Sequence, residues 1–134
     1  MGNLLYPLRR LSALIFKRLM IKVYGIPNCN TVKKAIDWMK NNNIEFEFHD
    51  YKKEGITKGK LKEWSKHFGW ENILNKKGTT WAQLSKEEQA GINTDKKAID
   101  YLFQNTSAIR RPIVEAHGTY LVRFDEQQYA DALL

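Results

Sequence analysis

The sequence predicts an α/β protein with a mixed β-sheet and a group of helices inserted between its two halves. A strand, helix and strand pattern occupies residues 21–49, the middle third is helical in pattern without a strand signal, and two short strands followed by a helix close the chain. Such an order of elements favours helices packed on a sheet that contains both parallel and antiparallel strands.

The first half reads as a β-α-β unit. The apolar run at 21–24 predicts a strand, which Gly25 and Pro27 end. A helix follows, with apolar residues at i, i+3, i+4 and i+7: Val32, Ala35, Ile36 and Met39. Alternating apolar and polar residues at 44–49 predict a second strand. A right-handed crossover makes the two strands parallel, so the loop before the helix lies at the carboxyl edge of the sheet.

The insertion contains three predicted helices. Thr57 can cap the first, whose inward side is Leu61, Trp64 and Phe68 and which Gly69 ends. Ser85 and Glu88 have the spacing of a capping box for a second, short helix. The third covers residues 95–104, with three inward residues, Ile99, Leu102 and Phe103.

The second half reads as β-β-α. Strands at 112–115 and 119–122 flank a short turn at 116–118, and Asp125 can cap a last helix with Tyr129 and Leu133 inward. The complete order is that of a thioredoxin-like, or glutaredoxin-like, fold with a helical insertion between its β-α-β and β-β-α halves.

Length and composition limit the classes of function. A chain of 134 residues with one cysteine fits a single domain without an internal disulfide, and we expect a cytoplasmic monomer. The formal charge is +7, but four positive charges lie in residues 1–19, which contain no acid, so the remainder carries only +3. No zinc spacing, recognition helix or aromatic-basic repeat is present, and we expect no bound metal and no nucleic-acid partner.

Residues 1–19 are interpreted as an extension of a domain at residues 20–134. Arg9 and Arg10 interrupt the apolar run and no small-residue cleavage site follows, a pattern that fits neither a signal peptide nor a membrane span. Because Met20 directly precedes the first strand, an over-extended start or a disordered extension is favoured. A membrane-surface or targeting helix is the alternative.

Cys29 is the candidate catalytic residue, since it opens the first predicted helix. Free N–H groups and the positive end of the helix dipole stabilise a thiolate at such a position, which lowers its pKa. Lys33 and Lys34 add positive charge one turn on, and Lys33 is a candidate anion-binding residue. The alternative is a structural thiol, the ordinary role of a lone cysteine.

Three segments resemble the arsenate reductase (ArsC) family, and most of all its YffB-like branch, which is related to Spx-like proteins. They are residues 25–35 around Cys29, residues 49–55, and residues 110–114 around Arg111 and Pro112. The segments occur in the family's order, and the resemblance extends over residues 20–134.

The resemblance implies roles for individual residues. Cys29 would be the nucleophile, Arg111 and Arg123 would hold anions, and the peptide bond before Pro112 would be cis, close to the thiol. Asn75 would be a further anion-binding residue, since an amide can hydrogen-bond an oxyanion. Arsenate-reducing members use a third arginine at its position, and the lack of that charge counts against arsenate. Lys76 and Lys77 stand close to Asn75 in sequence. Arg110 is adjacent to Arg111 and would point to the opposite face of a strand, into solvent.

The function implied is a thiol-dependent reductase with no bound cofactor, in which glutathione, as co-substrate, or glutaredoxin resolves the intermediate formed on Cys29. Its substrate would be a small oxyanion or a disulfide. Two alternatives stay open: an arsenate reductase proper, and a non-catalytic interaction module like the Spx-like regulators, which bind RNA polymerase. The regulators' Cys-x-x-Cys switch cannot form here, because Val32 occupies the second cysteine position.

Overall fold

The computed structural model describes residues 20–134, which form an α/β fold. The strands are β1 (Ile21–Gly25), β2 (Phe46–Asp50), β3 (Ile113–Ala116) and β4 (Thr119–Val122). The helices are α1 (Asn30–Asn41), α2 (Tyr51–Glu54), α3 (Lys58–Phe68), α4 (Trp70–Ile73), α5 (Thr79–Ala82), α6 (Lys86–Gly91), α7 (Asp95–Gln104) and α8 (Glu126–Leu133), with a 3-10 turn at Thr106–Ala108 before β3.

The strands of the described region form one mixed sheet in the order β2-β1-β3-β4. β1 pairs in parallel with β2, with Val23 opposite Phe48, and antiparallel with β3, with Val23 opposite Val114. β3 and β4 form an antiparallel hairpin. This arrangement confirms the predicted thioredoxin-like mixed sheet with its helical insertion.

The two faces of the sheet carry separate apolar clusters, because successive side chains of a strand point to opposite faces. On one face, Val23 and Val114 pack with Met39 of α1 and Tyr129 of α8. On the other face, Tyr24 and Ile113 pack with residues of the insertion such as Trp64, Ile73 and Leu102. The insertion therefore supplies the core of its own face of the sheet.

The residues predicted to cap the N-termini of three helices do so in the structure. Thr57 accepts a hydrogen bond from the Lys60 N–H at 3.0 Å, and Asp125 accepts one from the Gln128 N–H at 2.9 Å. Ser85 and Glu88 form the reciprocal capping box, each bond 3.0 Å long.

Two local expectations differ from the structure. Phe103 was predicted to face inward but is 42% exposed, because the buried stripe of α7 runs through Ala98, Ile99 and Leu102, and Lys58 Nζ lies 5.2 Å from the Phe103 ring centre. The hairpin turn is also one residue shorter than predicted, since Ala116 still pairs with Thr119. His117 and Gly118 alone make the turn, both at positive φ.

The predicted extension at residues 1–19 lies outside the described residues. Within residues 20–134, the helices are too short or too polar to cross a bilayer.

Candidate active site

A cavity of about 400 Å³ opens at the carboxyl end of β1, where the loop before α1 meets the segment before β3. The residues that line it come from four separate parts of the chain: Cys29, Thr31, Asn75, Lys77, Arg110, Arg111 and Arg123. The candidate nucleophile thus shares one space with four cationic side chains.

Cys29 occupies the N-cap position of α1. Its backbone is extended, at φ −144° and ψ 126°, and its carbonyl oxygen accepts the first helical bond from the Lys33 N–H at 2.9 Å. The cysteine side chain makes no capping hydrogen bond, so the first-turn N–H groups remain free to stabilise negative charge at the sulfur. Val32 is fully buried, packs under Gly25 and anchors the start of the helix below the thiol.

The pKa of Cys29 lies below that of an ordinary thiol. Partial burial is the largest single influence and acts to raise the pKa. It is outweighed by the N–H of Val32, the guanidinium of Arg111, which acts by hydrogen bonding and by charge, and the N–H of Thr31, which together favour the thiolate. Lys33 and Lys34 are not among the main influences on this shift.

Arg111 is fixed by backbone carbonyl groups. Its Nη1 donates to the carbonyl oxygens of Ser107 at 2.8 Å and Ile109 at 3.3 Å, and the peptide bond between Arg111 and Pro112 is cis, as the family resemblance implied. The Nε of Arg111 is buried without a hydrogen-bond partner among the described residues. The guanidinium therefore keeps unused donor capacity beside the thiol.

A short pairing of two segments brings Asn75, Lys77 and Arg110 to the cavity. Leu74 and Ile109 form an isolated antiparallel bridge, flanked by bonds from the Asn75 N–H to Ala108 and from the Arg110 N–H to Ile73, each 2.8 Å long. The side chain of Asn75 then accepts the Lys77 N–H at 3.0 Å, which turns the chain back at the cavity.

Arg123 reaches the cavity from the end of β4. Its backbone adopts the left-handed region, at φ 67°, and its N–H donates to the carbonyl oxygen of Pro112 at 2.8 Å. That bond continues the β3-β4 ladder by one pair, which places Arg123 beside the Arg111-Pro112 segment.

The cavity is strongly cationic. None of the residues that line it is acidic, and Lys77, Arg110, Arg111 and Arg123 take part in no salt bridge within the part of the chain that the structure describes. Their charge is therefore available to an anionic ligand next to Cys29.

Two placements differ from expectation. Lys33, predicted to bind anions, is exposed and does not line the cavity, because α1 buries Val32, Ala35 and Met39 and turns Lys33 to its outer side. Arg110, expected to point into solvent, lines the cavity with Arg111. The expectation for Arg110 assumed that side chains alternate between the two faces of a strand. Since β3 begins only at Ile113, both arginines lie in a loop, where this alternation does not apply.

Thr31 is a cavity residue to which the sequence reasoning assigned no role, and Lys77 was noted only as a cation close to Asn75 in sequence. For Lys77 a signal existed, since it stands two residues after Asn75 and Asn favours a turn that reverses the chain. Thr31 lies in the first turn of α1, so its side chain stands beside any ligand that binds at the N-terminus of this helix. Over residues 20–134, the histidines, cysteine and acids form no group of three that could hold a metal.

The comparison with protein families agrees with this site. The model of the ArsC family matches residues 24–132. The chain belongs to the ArsC family. The match includes Cys29 and every other residue that lines the cavity.

Individual relatives of this ArsC-family chain cover nearly its whole described region. It is 42% identical over 114 residues to an uncharacterized protein of Haemophilus influenzae, a match that covers 84% of this chain and 98% of the relative. It is 24% identical over 112 residues to the global transcriptional regulator Spx of Lactiplantibacillus plantarum, covering 81% and 83%. Among solved structures, a protein called YFFB superposes with a TM-score of 0.82 at 37% identity, covering 86% of this chain and all of that one.

Proposed function

We propose that this protein is a thiol-dependent reductase in which the Cys29 thiolate attacks the substrate and glutathione, or a glutaredoxin, restores the thiol. The observation that carries the proposal is the placement of Cys29, at the N-terminus of α1, in a cavity with four cations and no acid among its lining residues. Membership of a family named for arsenate reductase supports reductive thiol chemistry.

The reaction on a disulfide needs two exchanges. The Cys29 thiolate attacks one substrate sulfur, the substrate S–S bond breaks, and the other sulfur leaves as a thiolate. A glutathione thiolate then attacks the mixed disulfide on Cys29, takes the substrate sulfur into a new disulfide and releases Cys29 as a thiolate. An external thiol is required for the second step because the chain has only one cysteine.

The cations would serve both steps. Arg111 stabilises the attacking thiolate before reaction and the departing thiolate after it. Arg110, Arg123 and Lys77 surround the same space and would bind the carboxylates of glutathione or the charged groups of the substrate.

Arsenate reduction is a second candidate function, and the placement of Lys77 and Arg110 favours it. Asn75 lacks the charge of the arginine found in arsenate-reducing members, but two further cations stand in the same cavity. The absence of that arginine therefore does not leave the cavity short of positive charge.

A turnover assay with glutathione tests the proposal, using a small model disulfide and arsenate as parallel substrates and Cys29→Ser as the control. We expect disulfide reduction by the unmodified protein and none above background by the variant. Arsenate turnover that exceeds disulfide turnover would favour the second function. If neither substrate is consumed while Cys29 is still alkylated rapidly, the reductase proposal is wrong and an interaction module becomes the better account.

A further inference from the structure

Tyr51 is a buried phenol that lies close to Arg111 and shares a carbonyl acceptor with it. It follows β2 directly, is 0% exposed, and its Oη donates to the carbonyl oxygen of Ile109 at 3.3 Å. That same oxygen accepts the Nη1 of Arg111 at 3.3 Å. Tyr51 and Arg111 are thus joined by a shared acceptor, and the reductase mechanism assigns no role to the tyrosine.

Tyr129 stands in a parallel relation to Arg123. It is 0% exposed in the cluster on the other face of the sheet, and its Oη donates to the carbonyl oxygen of Arg123. The N–H of Arg123 is bound to Pro112. Both backbone polar groups of Arg123 are therefore engaged, which holds a non-glycine residue in the left-handed conformation that it would otherwise rarely adopt.

We propose that Tyr51 and Tyr129 are positioning residues that hold Arg111 and Arg123 at the Cys29 cavity. Each ring is fixed by the apolar cluster on its own face of the sheet, and each buried hydroxyl needs an acceptor. The acceptor of Tyr51, the carbonyl of Ile109, also binds Arg111, and the acceptor of Tyr129 is the carbonyl of Arg123 itself. The core thereby fixes the positions of the guanidinium groups of Arg111 and Arg123. This inference rests on the proposed anion-binding role of these arginines.

The two tyrosines should have different signatures. Arg111 is among the groups that favour the Cys29 thiolate, so loosening it raises the pKa of the thiol. Arg123 is not among the main influences on that pKa. Loss of the Tyr129 hydroxyl should therefore weaken the binding of an anion in the cavity without changing the ionisation of Cys29.

The test uses the full chain with Tyr51→Phe and Tyr129→Phe, which keep the buried rings. The matched control is Tyr101→Phe, since Tyr101 Oη also donates to a carbonyl, that of Thr80 at 3.4 Å, outside the cavity. Two measurements are made on each protein: the rate of Cys29 alkylation by iodoacetamide against pH, and the protection of Cys29 from alkylation by inorganic sulfate.

We expect Tyr51→Phe to move the alkylation midpoint to higher pH and weaken sulfate protection about two- to tenfold, the effect of one neutral hydrogen bond. Tyr129→Phe should weaken protection by a similar factor with an unchanged midpoint, and Tyr101→Phe should change neither. In an Arg111→Lys background, Tyr51→Phe should add no further shift of the midpoint, because the shared acceptor has lost its guanidinium.

Wild-type behaviour of Tyr51→Phe, equal effects in all three tyrosine variants, or an undiminished shift in the Arg111→Lys background would overturn the proposal. Should Tyr51→Phe melt below the assay temperature, Tyr129→Phe decides alone, and wild-type sulfate protection in that variant would refute the proposal. These readouts require neither glutathione nor a reducible substrate, so a failure of the proposed reductase activity is distinguishable from a failure of this inference.

Discussion

The backbone N–H of Arg123 donates to the carbonyl oxygen of Pro112 over 2.8 Å. This bond lies one residue pair beyond the last pair of the β3-β4 hairpin, Ile113 opposite Val122. β3 is in turn the neighbour of β1, whose carboxyl end leads to Cys29. The sheet thereby brings Arg111, Arg123 and the thiol to one edge, although they are distant in sequence.

The first prediction concerns the pH dependence of Cys29 reactivity. Burial opposes ionisation, but the N–H of Val32 and the guanidinium of Arg111 favour the thiolate, so the folded-state pKa is lowered. At any given pH a larger fraction of Cys29 is therefore thiolate than of an ordinary thiol, and that fraction is lost as the pH falls through the lowered pKa. The rate of iodoacetamide alkylation against pH measures this, with free glutathione as the reference thiol. A midpoint at or above about 8.5, the ordinary thiol value, would contradict the prediction.

The elements of the fold could be predicted because their signals are local. Thr57, Ser85 and Asp125 cap the helices they were expected to cap, since a capping bond depends on residues three positions apart. The β-α-β and β-β-α halves then follow from periodicity and a short turn. The signal for the candidate nucleophile, Cys29, is equally local, because a cysteine at a helix N-terminus can be recognised from a few neighbouring residues.

The full set of cavity residues could not be predicted, because it depends on contacts between distant segments. Arg110 and Lys77 reach the cavity through the bridge between Leu74 and Ile109, for which the sequence carries no periodic signal. The direction of Lys33 depended on which side of α1 packs on the sheet. Phe103 is apolar and stands next to Leu102, so the sequence suggested that both face inward. Neighbouring residues of a helix point in different directions, however, so a helix that buries Leu102 does not bury Phe103 to the same extent.

The second prediction concerns the two arginines carried over from the family. Arg111→Lys removes the planar fork and Arg123→Ala removes a charge, so each should weaken sulfate protection of Cys29 by about ten- to a hundredfold, or roughly 1.5–3 kcal/mol. The fold should stay cooperative in thermal melting. Lys33→Ala, which removes an exposed cation outside the cavity, is the control and should leave protection nearly unchanged. Equal losses in Arg123→Ala and Lys33→Ala would show that only general charge matters, and full protection in Arg111→Lys would show that the planar fork is not needed.

The third prediction concerns the residue that replaces an arginine of arsenate-reducing members. Asn75→Arg should raise arsenate turnover with glutathione and change disulfide turnover little, because it adds a cation to the cavity. The substitution also removes the bond from the Lys77 N–H, so Asn75→Gln, which alters that turn without adding charge, is the matched control. A wild-type protein that reduces arsenate as well as Asn75→Arg would show that Lys77 and Arg110 already supply sufficient charge.

The fourth prediction concerns the packing beneath the thiol. A Cβ on Gly25 would meet Cγ2 of the buried Val32 at 2.9 Å, so Gly25→Ala must shift either the Val32 side chain or the backbone on one side of the contact. We expect a loss of about 1–3 kcal/mol in the free energy of unfolding, typical of overpacking, measured by urea denaturation. Gly59→Ala is the control, because its Cβ meets only Thr57 Oγ1 at 3.8 Å and alanine favours the helix. Equal stability of the Gly25→Ala protein and the wild type would mean that this contact relaxes freely.

The most direct test of the thiolate mechanism is the formation and resolution of a mixed disulfide at Cys29. The full chain is mixed with oxidised glutathione at neutral pH, and the intact mass is followed before and after addition of reduced glutathione. We predict a single glutathione adduct on the wild-type protein, its removal by reduced glutathione, and no adduct on Cys29→Ser, which has no thiol. A wild-type protein that forms no adduct, or an adduct that reduced glutathione cannot remove, would contradict the proposed mechanism.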